Sequence, residues 1–118
     1  MKKISTVLGE REIEQKLKAH PAWQLKNRAL VRTETFLTYL LALKFVNKLG
    51  HLAEKNDHHP DIEIKYKTVS IRFSTHSMGG VTPLDFKSVI QTDALIKTMT
   101  KAKSHRSRGE PPKAPAKN

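Results

Sequence analysis

Two short segments hold the residues best suited to chemistry: Glu54-Lys55-Asn56-Asp57-His58-His59-Pro60, and Ser74-Thr75-His76 on the next hydrophobic run. Three of the six histidines lie in them, where regular structure should hand over to loop. An imidazole has an unperturbed pKa of about 6.5, so it gives and takes protons near neutrality. One alternating run lies between the segments, so a hairpin would return His76 to the side of His58 and His59. Asp57 and Glu54 are close enough in sequence to fix a tautomer or raise a histidine's basicity. Acid–base chemistry on an organic substrate fits this set. So does a plainer reading of exposed loop histidines. Three imidazoles and a carboxylate can also hold zinc, although the adjacent pair lacks the i, i+4 placement of the common helical zinc motif. His20, His51 and His105 show no comparable clustering and read as structural or exposed.

The elements that must position these residues are legible in the periodicity. Ile13 and Leu17 recur at helical spacing between Glu10 and His20, and Pro21 closes that segment. Trp23 and Leu25 alternate with polar residues, Asn27-Arg28 can turn, and Leu30-Val31 resume an extended run, which predicts a short hairpin. A long helix is expected from Glu34 to Lys55, with two apolar stripes. Phe36, Tyr39, Leu43, Val46 and Ala53 make one, with Gly50 in register; Leu37, Leu41, Phe45, Leu49 and Leu52 make the other. Together they are wider than one sheet contact needs, so rather than a deeply buried helix the expectation is that one stripe meets the chain's own sheet and the other a second subunit. Ile62, Ile64 and Tyr66 alternate, then Val69, Ile71 and Phe73 continue in the opposite phase, as a turn near Tyr66-Lys67 produces. After Gly79-Gly80, Thr82-Pro83-Leu84-Asp85 reads as a helix start, with an N-cap hydroxyl, proline first and a carboxylate third. Phe86, Val89, Ile90 and Ala94 supply that helix's buried side.

The expected fold class is α+β: a four-stranded antiparallel sheet with three helices on one face, in the order α-β-β-α-β-β-α. A length of 118 residues suits one domain. The absence of cysteine excludes a thiolate nucleophile, cysteine-ligated zinc and disulfides. The first eight residues imitate a signal peptide only briefly before Glu10-Arg11-Glu12, and no run approaches membrane-spanning length, so a cytoplasmic protein without membrane contact is expected. Nearly half of the net charge of +11 lies beyond residue 100, in Lys101, Lys103, Arg106, Arg108, Lys113 and Lys117 against Glu110. Residues 1–100 read as the domain, and 101–118 as a basic, proline-bearing, disordered tail that could touch nucleic acid or an acidic partner.

Glu54, three residues, His58-His59-Pro60, five residues, Tyr66, nine residues, His76, eight residues, Asp85: this pattern resembles the motif of the pterin-4a-carbinolamine dehydratase family. Thr75-His76 followed by Gly79-Gly80 and Thr82 is similar to the family's bacterial-type second segment, and Trp23 also fits. The resemblance covers roughly residues 5 to 98. Ser77 departs from it, standing where many members carry an acidic residue, and the tail lies outside the pattern.

The resemblance implies a hydro-lyase that removes water from 4a-hydroxytetrahydrobiopterin to give quinonoid dihydropterin, recycling the cofactor of aromatic amino acid hydroxylases. By resemblance, His58 and His76 transfer protons and His59 binds and orients the substrate. Asp57, Ser74, Thr75 and Ser77 line the pterin, with Glu54, Pro60 and Asp85 in support. Asp85 either orients a histidine or stabilises the helix N-terminus by its charge. No metal or cofactor is implied, since the pterin is the substrate. A homodimer or homotetramer and a functional link to a hydroxylase are expected. The alternative is a non-catalytic binding, assembly or dimerisation role on the same fold, which would not require all three histidines.

Overall fold

A computed structural model describes residues 7–107. Its elements are α1 (Glu10–Leu17), β1 (Gln24–Lys26), β2 (Ala29–Thr35), α2 (Tyr39–Asn56), β3 (Asp61–Lys65), β4 (Thr68–Phe73), a 3-10 helix (His76–Met78) and α3 (Pro83–Ser107). The strands form one antiparallel sheet in the order β1-β2-β4-β3. The fold is the expected α+β arrangement.

Strand alternation sets the two faces. Leu30, Val69, Ile71 and Phe73 point inward and are essentially fully buried, together with Phe45 and Leu49 of α2 and Val89 of α3. Residues of opposite parity face out, where Thr33 pairs with Ser70 and Thr35 with Thr68 through their hydroxyls at 3.2 and 3.0 Å. A one-residue slip of any strand would carry its apolar set to that polar face, which is why the register is firmly specified.

Both hairpins turn in two residues. Asn27 and Arg28 adopt φ of 49° and 63°, the paired left-handed conformation that matches strand twist. Lys65 pairs with Thr68, leaving Tyr66 and Lys67 as the second turn, with Tyr66 at φ 54°. Tyr66 therefore does not continue the alternation of Ile62 and Ile64. It is exposed, and the Lys67 ammonium lies 5.1 Å from its ring centroid.

Three boundaries differ from the sequence reading. α1 stops at Leu17 rather than His20, because the residue before Pro21 is disfavoured in helical conformation, and a tight His20 N–H to Leu17 O bond of 2.8 Å closes the end. α2 begins at Tyr39, not Glu34. Glu34 and Thr35 complete β2, opposite Val69 and Thr68, and Thr38 caps the helix by accepting from Leu41 N–H at 3.0 Å. Phe36 and Leu37 thus precede the helix; Phe36 is buried and stacks on Phe45 at 5.0 Å. α3 continues through residue 100, the expected domain boundary, to Ser107, and residues 108–118 of the expected tail lie outside the described residues.

The two expected stripes of α2 do not stay apart. Ala53 and half-buried Val46 of one lie with Phe45 and Leu49 of the other on the buried side, while Leu37 of the second is exposed, as are Tyr39 and Leu43 of the first. Ala42, Phe45, Leu49 and Ala53 are buried against the sheet, with Leu41, Val46 and Leu52 half-buried beside them. Tyr39, Leu40 and Leu43 are exposed at the start of the helix, near exposed Leu37 and Tyr66. Tyr39 and Tyr66 lie 6.2 Å apart by ring centroids.

Candidate active site

Four elements converge on His58. α2 ends in a left-handed C-cap at Asp57 (φ 52°), whose N–H returns to Ala53 and Glu54 carbonyls. The His58 N–H bonds the Ala53 carbonyl at 3.1 Å, so the chain folds under the helix end and turns into β3. The β3–β4 register pairs Asp61 with Arg72; continued backwards it runs His58 toward Thr75. The His58 ring stacks on Phe73 of β4 with centroids 5.9 Å apart and planes 18° from parallel.

The second segment is held by a compact loop. Thr75 N–H bonds the Gly80 carbonyl at 2.9 Å, closing the 3-10 turn that carries His76, Ser77 and Met78. Gly79 ends that turn at φ 76°, a conformation that suits glycine. At Gly80 a Cβ would sit 3.1 Å from Val7 Cγ1, so a side chain there would crowd the N-terminal segment.

Helix α3 supplies the carboxylate that joins the parts. Asp85, fully buried at its third position, accepts from Thr82 N–H at 2.9 Å through Oδ2, while Thr82 Oγ1 accepts from Leu84 N–H at 3.2 Å. The same Oδ2 accepts from Thr75 Oγ1 at 2.7 Å, and the two threonine hydroxyls are 2.8 Å apart. The other oxygen, Oδ1, lies 2.6 Å from His58 Nε2. Asp85 therefore both completes the helix cap and orients a histidine.

Donor accounting assigns the roles. Leu84 N–H donates to Thr82 Oγ1, whose hydroxyl donates to Thr75 Oγ1, whose hydroxyl donates to Asp85. Facing a carboxylate that already takes two other donors, His58 is assigned the proton on Nε2. Nδ1 is left as the nitrogen able to accept or release a proton. A buried network with every donor matched is rigid, and it places an imidazole with only 9% exposure at the junction of α2, β4 and α3.

The other expected residues occupy distinct positions. His59 Nε2 contacts Glu54 Oε2 at 2.5 Å on the solvent side, with both side chains more than half exposed. Asp57 serves as the exposed helix cap, so Glu54, and not Asp57, partners a histidine. His76 is exposed beside Thr75, and its ring has no hydrogen-bond partner among the described residues. Ser77 is also exposed; Ser74 Oγ donates to the Arg28 carbonyl at 3.0 Å, and Pro60 is half-buried at the entry to β3. The geometry thus ties His58, Thr75 and Asp85 into one unit, sets His76 next to it in the chain, and holds His59 with Glu54 outside. Among the described residues, no three or more His, Asp or Glu side chains are grouped as a metal would require.

Sequence reasoning missed two participants. Thr82 was legible as a cap but not as a member of the network, and Phe73 as a core residue but not as the platform for His58.

The family model described as pterin 4 alpha carbinolamine dehydratase matches residues 6–95. The chain belongs to this family. Relatives provisionally named pterin-4-alpha-carbinolamine dehydratase include one from Stenotrophomonas maltophilia, 38% identical across 78% of this chain and 81% of that one. Another, from Nostoc punctiforme, is 40% identical across 80% of this chain and all of the relative. Among solved structures, a transcriptional coactivator/pterin dehydratase from Brucella melitensis superposes with a TM-score of 0.73 at 34% identity, covering 76% of this chain and 98% of that one. A pterin dehydratase-like protein described as a RuBisCO assembly factor in the alpha-carboxysome shares the fold, with a TM-score of 0.52 at 23% identity over 62% of this chain and 84% of the other. The matched span contains every residue of the site, from Glu54 to Asp85. Among the described residues no helix is long and apolar enough to cross a membrane.

Proposed function

We propose that this member of the pterin carbinolamine dehydratase family is an active hydro-lyase that converts 4a-hydroxytetrahydrobiopterin to quinonoid dihydropterin and water. The observation that carries the reading is the buried His58–Asp85 pair, fixed at 2.6 Å by Thr75 and Thr82. A loop histidine with only a structural task needs no such network.

The chemistry requires two proton transfers. An acid protonates the C4a hydroxyl, the C4a–O bond breaks and water leaves; a base accepts the N5 proton while the C4a–N5 double bond forms. Each transfer by a positioned imidazole is worth about 10²–10⁴ in rate. His58, through Nδ1, and His76 are assigned these transfers. His59, held by Glu54, orients the ring system. Asp57 and Ser77 border it with polar groups, and Ser74 and Thr75, whose hydroxyls donate to Arg28 and Asp85, contribute through lone pairs and backbone. The proposed reaction calls on no metal or cofactor: it is redox-neutral, and positioned imidazoles supply both proton transfers. The setting is a cytoplasmic homodimer or homotetramer that serves an aromatic amino acid hydroxylase.

A binding role is the second reading, favoured by the double description of the Brucella relative as coactivator and dehydratase. Purified protein mixed with freshly generated 4a-hydroxytetrahydropterin separates them. Acceleration abolished by His58→Ala supports the enzyme; a rate equal to buffer alone leaves the binding role.

A further inference from the structure

The molecule's positive charge is unevenly placed. Helices α2 and α3 carry Lys44, Lys48, Lys55, Lys87, Lys97, Lys101, Lys103 and Arg106 against Glu54, Asp85 and Asp93. All three acids are engaged elsewhere: Glu54 by His59, Asp85 by His58, and Asp93 by Trp23 and Arg32 at 2.7 Å each. Glu54 and the exposed C-cap Asp57 stand beside Lys55, whereas no carboxylate lies within two helical turns of Lys44, or within one of Lys48, along α2. Lys44, Lys48 and Lys55 are exposed and make no ion pair among the described residues.

These lysines border a groove. Asn56 Nδ2 donates to Gln91 Oε1 at 2.5 Å, and Leu52 and Leu95 share a cleft, so α2 and α3 run antiparallel side by side. The cleft holds about 420 Å³ and is lined by Lys48, His51, Leu52, Lys55 and Leu95. At 1.5 Å per residue, Lys44 to Lys55 spans about 16 Å of helix. The row thus runs beyond the cleft along the surface of the α2–α3 layer.

We infer that this lysine-lined α2–α3 groove is a docking surface for the phosphate backbone of duplex nucleic acid, bound without regard to sequence. The cations are lysines, which act as point charges toward spaced phosphates, where carboxylate recognition favours the arginine fork. No Phe, Tyr or Trp lines the cleft, and the single His51 ring is too little to stack successive unpaired bases, which favours a duplex over a single strand. A second copy is a poor occupant, because a two-fold contact through this face would set the lysine row against itself. The exposed apolar cluster of Leu37, Tyr39, Leu40, Leu43 and Tyr66 is the better self-contact.

The test is fluorescence anisotropy of a labelled 20-base-pair DNA duplex with the full-length chain, titrated between 50 and 200 mM salt. Lys44→Gln/Lys48→Gln/Lys55→Gln should weaken binding at least 10-fold and flatten the slope of log affinity against log salt by about 2.7, at about 0.9 per phosphate contact. Arg108→Gln/Lys113→Gln/Lys117→Gln in the full-length chain should keep the steeper slope. Circular dichroism melting of the groove variant should match the parent, because Lys44, Lys48 and Lys55 are all exposed. An unchanged slope in the groove variant, or no binding at 50 mM salt, overturns the inference. So does displacement of the duplex by polyglutamate or by phosphatidylserine vesicles at equal charge concentration, which would assign the groove to an acidic protein or a membrane surface.

Discussion

His58 and Asp85 stand 27 positions apart in the sequence and meet side chain to side chain at 2.6 Å, both buried, at the foot of helix α3. The carboxylate that caps the helix also faces the histidine, so in the proposed reaction stability and catalysis are coupled through one residue. Asp85→Ala should cost about 2–5 kcal/mol in urea unfolding, because it removes a cap and leaves His58, Thr75 and Thr82 N–H without their acceptor. Turnover of the folded fraction should fall at least about 10-fold, part of the 10²–10⁴ associated with positioned acid–base groups. Thr75→Val should show a milder version of both effects, and Thr75→Ser should restore them.

Asp93 offers a contrast on the same helix. It accepts from Trp23 Nε1 and Arg32, and lies 3.7 Å from His20 Nδ1, away from the histidine pair. Arg32 is largely buried and also bridges to Glu34 at 2.7 Å. Asp93→Ala should lower the unfolding free energy by about 1–3 kcal/mol, because part-buried Trp23 Nε1 and Arg32 lose their shared acceptor. The kcat of the folded protein should stay within about 2-fold of the parent. A loss of turnover matching that of Asp85→Ala would mean that the two networks act as one.

Much of this architecture is legible in the residues. Opposite apolar phases in Ile62-Ile64 and Val69-Ile71-Phe73 identify the hairpin, and Thr82-Pro83-Leu84-Asp85 marks the helix start. Helix α2 is misplaced at its start because Phe36 and Leu37 fit its periodicity, while the pairing of Glu34 and Thr35 with β4 is a long-range fact that no local pattern carries. The same limit applies at the site. Spacing brings His58 and His76 to one hairpin, but the Thr75–Thr82–Asp85 chain depends on where α3 docks. That docking is set by packing among Phe73, Val81, Phe86 and Val89.

Self-association should follow the exposed apolar cluster at the start of α2. Leu40 is 74% exposed, beside exposed Tyr39, Leu43 and Tyr66, whereas Phe45 is fully buried and unsuitable as a probe. The parent should be a dimer or tetramer at micromolar concentration in light scattering, and Leu40→Glu should shift it toward monomer without lowering its melting temperature by more than a few degrees. A monomeric parent would contradict the assignment.

The terminal segment should be dispensable for turnover. Because α3 runs to Ser107, a chain ending after Ser107 tests this more cleanly than one cut at Thr100, inside the helix. Its kcat/KM should equal that of the full chain. A clear fall would mean that residues after 107 reach the site.

The central claim is tested most directly by the initial rate of loss of freshly generated 4a-hydroxytetrahydropterin, followed by absorbance, with parent protein and with His58→Ala/His76→Ala. The parent should accelerate dehydration with multiple turnovers, unaffected by a chelator, and the double variant should return to within a few-fold of the uncatalysed rate while keeping the parent's circular dichroism spectrum. A double variant as fast as the parent, or a parent no faster than buffer, would contradict the assignment of proton transfer to the His58–Asp85 unit and His76.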